Sequence, residues 1–190
     1  MIYLAVILVS MALITALNLA FPAEGLAPLS LALSVVFLTA AVILVDGVFA
    51  FLIRRLPERR FSYGRRLFCV GEREARLYRA LGVKRWDRFV PDLGCFTGFY
   101  KRTLASPGEA AYTGRYLLEA AYGIVIHAVN IPTGFLILPL APGLALRVGL
   151  PVALVNAVLS LFPLMLLRSH FPRLVRLHER NLKRASAQNA

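Results

Sequence analysis

Three ionisable side chains stand inside runs otherwise almost free of charge: Asp46, Glu119 and His127. Placing such a group in a bilayer costs at least about 2.5 kcal/mol on insertion scales, so each is a candidate for function wherever it faces other helices. A neutral imidazole takes a proton from a hydroxyl near pH 7, which makes His127 a candidate general base. Glu119 and His127 stand eight residues apart. On one helix that separation is about 80° around the axis and about 12 Å along it, so they share a face without touching. Asp46 lies about 10 Å inside the charged end of its run, between those two in depth. The three are expected to line a polar pocket open to the cytoplasm, with Glu119 or Asp46 positioning what His127 deprotonates. Each also has a plainer reading: Glu119 can pair with Arg115 one turn away, Asp46 with a cation across the bundle, and His127 can tie two helices together. Asn130 and Asn156 read as interhelical hydrogen-bond partners, and Asn130 is also a candidate donor to a developing oxyanion.

Such residues need apolar helices to hold them. The chain has 190 residues, 58% hydrophobic, with 22 Lys and Arg against 10 Asp and Glu. The basic excess would suit nucleic acid if it were mixed through the sequence. It is confined to two blocks between long uncharged runs, which excludes that partner and describes a membrane protein with a basic face. A span needs about 20 apolar residues, and four runs supply them, at 2–21, 29–53, 117–139 and 145–167. No Lys or Arg precedes Arg54, so the first run lacks the charged start of a secretory signal and is expected to be retained. The Pro- and Gly-containing stretches at 21–28 and 139–143 read as tight turns.

Between the second and third spans lies a basic segment, 54–116, in which arginines alternate with aromatic residues. It is expected to be amphipathic and to lie at the membrane surface, with a helix over 72–81 capped by Gly82. Four spans put both termini, this segment and the basic tail 168–190, expected to be helical through Arg184, on one side, and of the 22 Lys and Arg only Arg147 falls elsewhere. The positive-inside rule makes that side cytoplasmic. The expectation is therefore a single all-α integral membrane domain with four transmembrane helices and an interfacial cytoplasmic segment between helices 2 and 3.

Within the segment Trp86 is an interfacial anchor or the wall of a substrate cleft, and Lys84, Arg85 and Arg88 form a cluster suited to the phosphates of an activated donor or to anionic lipid headgroups. Cys69 and Cys95 lack metal-ligand spacing and are expected to be reduced thiols. No metal site and no bound cofactor is expected. The G-x-S-x-G elbow is missing, so a covalent serine mechanism is not the first choice.

The run Leu77-Tyr-Arg-Ala-Leu-Gly-Val-Lys-Arg-Trp-Asp-Arg-Phe-Val-Pro-Asp-Leu-Gly94, followed by Phe99-Tyr-Lys-Arg102, resembles the glycosyl-4,4'-diaponeurosporenoate acyltransferase family. Glu119-x7-His127 falls where that family carries a Glu-rich stretch leading to a His, and Pro163, Arg168 and Pro172-Arg173-Leu174 follow its closing pattern. The resemblance covers about residues 65–180. Where the family pattern has an Arg and a second Glu, this chain has Tyr122 and Ile124, and its polar stretch near span four reads Leu167-Arg168-Ser169-His170. The resemblance implies a small enzyme of the cell membrane that moves a fatty acyl group to a sugar hydroxyl on a lipid. Its partners would be a membrane lipid and an acyl donor, with acyl-CoA as one co-substrate, and Arg168 would join the substrate-binding set. The contrasting account is a non-catalytic membrane module that binds lipid or scaffolds a biosynthetic complex with the same basic aromatic belt.

Overall fold

The computed structural model describes residues 2–21, 27–90 and 104–188. Cys95, Phe96, the Phe99 to Arg102 run and the turn around Glu24 lie outside the described residues. The described residues are mostly helical, with no strand among them: α1 (Ile2–Ala20), α2 (Pro28–Arg54), α3 (Glu72–Ala80), α4 (Val83–Trp86), α5 (Ala110–Thr133) and α6 (Leu150–Gln188), with short 3-10 turns between them and a π-helical turn, Ala145–Gly149, leading into α6. Four helical stretches are long and apolar enough to cross a membrane, Ile2–Ala20, Pro28–Arg54, Ala110–Leu140 and Pro142–Gln188. The fold is therefore an all-α membrane protein with four spanning helices.

Two of the helical stretches run further than hydropathy marks. The helix expected to open at 117 starts at Ala110, because Ala, Tyr, Thr and Arg extend a helix in water or at headgroups as readily as in lipid. The last helix, expected to leave the membrane near 167 with the tail helical through Arg184, is continuous from Leu150 through Gln188. Its 39 residues amount to roughly 58 Å, nearly twice a hydrocarbon core of about 30 Å, so its charged C-terminal half extends beyond the apolar layer.

Contacts divide the chain into two compact units, Met1–Ile53 with Ile126–Phe162, and Arg54–Val125 with Pro163–Ala190. The first unit holds an apolar core of its own. Leu31, Val35, Leu38 and Val42 recur at the three- and four-residue steps of one helical stripe and pack with Ile14 of α1, Ile137, and Val148, Val152 and Ala153. Outside that stripe the helices present Leu8, Val9, Leu29, Phe37 and Leu44 outward, an arrangement that water penalises and lipid accepts. Arg147 donates to the carbonyl of Phe21 at 2.7 Å, and Asn18 donates to the carbonyl of Arg147 at 3.1 Å. A cation thus answers the orphan carbonyls at the end of α1.

The second unit is stitched by aromatic and polar contacts. Phe68 stacks on Phe171 with centroids 5.5 Å apart, and Phe61 lies 4.2 Å from Tyr122. A Cβ on Gly123 would come within 2.7 Å of Leu167, so glycine is what allows α5 and α6 to approach there. Helix α3 ends as expected: Gly82 takes the left-handed conformation at φ 62° and donates to the carbonyl of Arg79, a C-terminal geometry that only glycine adopts without strain.

Candidate active site

The sequence-selected residues fall into both units. Asp46, His127 and Asn130 belong to the first, and Glu119, Trp86, Lys84, Arg85, Arg88 and Arg168 to the second.

In the first unit Asp46 of α2 accepts from Asn156 Nδ2 of α6 at 3.3 Å, and the same amide reaches the carbonyl of Asn130 on α5 at 3.4 Å. The partner of Asp46 is thus an amide rather than a cation, and the asparagines join helices as the sequence suggested. Gly134 makes room for this: a Cβ there would lie 2.8 Å from Asn156 Nδ2. Beside it, α1, α2 and α6 line a mostly apolar cavity with an empty volume of about 350 Å³ including its open side, walled among others by Ile7, Met11, Val42 and Val155, with Ser10, Thr39 and Asn156 as polar points. His127 is half-buried on α5.

In the second unit Glu119 is 1% exposed and carries two guanidinium partners, Arg54 on Oε2 and Arg115 on Oε1, each at 2.9 Å. The pairing with Arg115 one turn away is present, and Arg54 is a second cation that spacing along one helix could not reveal. Arg54 also lies over the Tyr122 ring, 5.3 Å from its centroid, and Tyr122 donates to the carbonyl of Leu56 at 3.4 Å. Tyr122 and Ile124, the departures from the family pattern, are both buried. Glu119 thus holds the two guanidiniums in place from its buried position.

Arg168 is similarly occupied. It forms a fork on Glu74, with its Nη2 2.8 Å from Oε2, and its other N–H groups reach the carbonyls of Leu67 at 2.7 Å and Cys69 at 3.2 Å. Tyr78 donates to the same carboxylate. The Arg168 hydrogen bond holds the Glu74 carboxyl below its usual range, while burial, followed by the hydrogen bond to Glu74, pushes the Tyr78 phenol up to about 12. This geometry makes Arg168 a clasp between α6, α3 and the turn before it.

Lys84 and Arg85 are exposed on α4, and Trp86 Nε1 donates to the carbonyl of Leu81 at 3.2 Å. The side chain of Arg88 lies outside the described residues. Cys69 is a free, exposed thiol.

One cluster escaped sequence reasoning. Thr113 of α5 and His178 and Asn181 of α6 are buried together: Thr113 Oγ1 lies 3.0 Å from His178 Nδ1, and Asn181 Nδ2 donates to the same oxygen at 3.4 Å and to the carbonyl of Pro107 at 2.8 Å. The signal was present as a His and an Asn three residues apart, on one helical face. It was hidden in a stretch whose many arginines read as a solvated tail.

Fold and polar sites together define an α-helical membrane protein with two buried polar clusters and an arginine clasp in its charged unit. The family model for glycosyl-4,4'-diaponeurosporenoate acyltransferase matches residues 57–180. The chain belongs to that family, which places it among acyltransferases of glycosyl carotenoid synthesis. No curated protein and no solved structure matches it.

Proposed function

We propose that this protein transfers a fatty acyl group from an activated donor to a hydroxyl of a lipid-linked sugar, a glycocarotenoid or a related glycolipid. The family match over residues 57–180 carries this reading, and the geometry is compatible with it. The charged unit offers exposed cations at Lys84 and Arg85 for the phosphates of a donor such as acyl-CoA or for anionic headgroups. Arg54 and Arg115, fixed by Glu119, add two pre-oriented guanidiniums of the same kind. The acceptor hydroxyl needs a base, and imidazole suits that role at neutral pH. His127 and His178 both lie inside the matched stretch. The distribution of Lys and Arg, with only Arg147 away from the two basic blocks, supports a cell-membrane protein with both termini in the cytoplasm.

The test is expression in cells that make a glycosylated carotenoid acid but cannot acylate it, with pigments read by mass spectrometry. The expected result is pigment heavier by one fatty acyl residue. Unaltered pigment alongside abundant membrane-inserted protein would favour the lipid-binding or scaffold account.

A further inference from the structure

The hydrogen bonds around Thr113 bear on which nitrogen of His178 carries the proton. Pro107 has no backbone N–H and its carbonyl can only accept, so the group of Asn181 that meets it at 2.8 Å must be the amide nitrogen. The second N–H of that nitrogen points to Thr113 Oγ1 at 3.4 Å. The threonine hydroxyl has one proton, and the carbonyls of Glu109 at 2.9 Å and Ala110 at 3.1 Å compete for it with His178 Nδ1. Donated to either carbonyl, that proton leaves the oxygen as an acceptor for Asn181 and for His178 Nδ1, 3.0 Å away. That arrangement favours the His178 tautomer with its proton on Nδ1 and a lone pair on Nε2.

The ring is held from other directions. Tyr63 meets it edge-on at 5.5 Å, and a Cβ on Gly114 would lie 3.2 Å from Cε1, so the absence of a side chain there is what admits the imidazole. Among the described residues nothing bonds Nε2. Asn181 is 2% exposed, and its Oδ1 is buried with no partner among the described residues. A buried amide oxygen without a donor is costly. Two acceptors in one cluster, Nε2 and Oδ1, suit a ligand that brings hydrogen-bond donors, and the hydroxyls of a sugar are of that kind.

We propose that His178 is the base that activates the acceptor sugar, with Thr113 and Asn181 positioning it. This rests on the acyl-transfer reading above. The acceptor O–H proton passes to Nε2, the oxygen attacks the carbonyl carbon of an acyl thioester, the new C–O bond forms, and the C–S bond breaks. The imidazolium then returns the proton to the departing thiolate, giving ester and free thiol.

The experiment compares full-length wild type, His178→Asn, Thr113→Val and His127→Ala in liposomes, with palmitoyl-CoA and glycosyl-4,4'-diaponeurosporenoate. Asparagine can keep an N–H toward Thr113 but has nothing at the place of Nε2, so a structural role survives the change and a base does not. His178→Asn is expected to lose about 100-fold or more in kcat while KM and melting temperature stay near wild type. Thr113→Val is expected to lose about tenfold in kcat, since it frees the tautomer. A His178→Asn enzyme with kcat near wild type overturns the assignment, and a large loss confined to His127→Ala moves the role to His127. Diethyl pyrocarbonate on the wild type reads the same point without turnover: modification of His178 mapped by mass spectrometry is expected, and an unreactive His178 overturns the proposal even if the variants fail to fold. An inactive wild type with every donor and acceptor would instead overturn the acyltransferase reading.

Discussion

Gly134 and Asn156 show how narrow the tolerance is at single residues. A methyl group on Gly134 would meet Asn156 Nδ2 at 2.8 Å and push it away from Asp46, leaving a carboxyl among apolar helices without its amide. Gly134→Ala is expected to lower stability by about 1–3 kcal/mol, read as a drop in melting temperature in detergent. Glu119→Gln removes the counter-charge shared by Arg54 and Arg115. Because Arg115 remains half-exposed, the expected loss is about 2 kcal/mol, below that of a fully buried pair, and the same measurement checks it. Glu74 has its carboxyl held low by Arg168, so its contribution is fully present above the unfolded carboxyl pKa and is lost as pH falls through the lower folded value. Glu74→Gln should therefore be less stable than wild type at neutral pH and converge with it in acid; melting curves from pH 7 downward test this. The residues the sequence singled out in apolar runs were legible because charge in lipid is rare. Their partners were not. Arg54 lies 65 residues from Glu119, and Arg168 lies 94 from Glu74, separations that no local spacing encodes. His178 was missed for a related reason: burial against Thr113 distinguishes it, and the surrounding arginines mask that burial in the sequence.

At the scale of elements, the four spans were legible and their ends were not. Hydropathy reports where lipid is, whereas helix ends are set by caps and breakers. Gly82 was readable as a cap because a left-handed residue after a run of helix formers has few alternatives to glycine. Replacing it with alanine forces a β-carbon into φ 62° and should cost about 1–2 kcal/mol, whereas Gly82→Asn should cost less; melting temperatures of the two variants give the comparison. Helix α6 gave no such signal, since neither Pro163 nor Pro172 stops it. Its continuation matters to the site, because it carries Arg168, His178 and Asn181 on one rigid element. Three points of attachment on a single helix explain how a charged stretch that resembles a tail becomes the wall of a cluster.

For the whole molecule, charge asymmetry and chemistry belong to one argument. The basic unit carries the clasp and the Thr113, His178 and Asn181 cluster, and the apolar unit carries the lipid-facing helices and the cavity. If, as proposed, the basic side is cytoplasmic and the protein transfers acyl groups, an activated donor made in the cytoplasm would meet it on that side. Topology can be read with the natural thiol at Cys69, exposed in the structure. In a Cys95→Ser background a membrane-impermeant maleimide should label Cys69 in inside-out vesicles and leave it unlabelled in intact cells. Labelling in intact cells would reverse the orientation. The central claim, acyl transfer to a lipid-linked sugar, is tested most directly by incubating the purified, liposome-embedded protein with palmitoyl-CoA and glycosyl-4,4'-diaponeurosporenoate and following both products by mass spectrometry. The account predicts stoichiometric appearance of the acylated glycolipid and free CoA, dependent on intact protein. Free CoA without acylated glycolipid, or neither product while the acceptor remains bound, would contradict it.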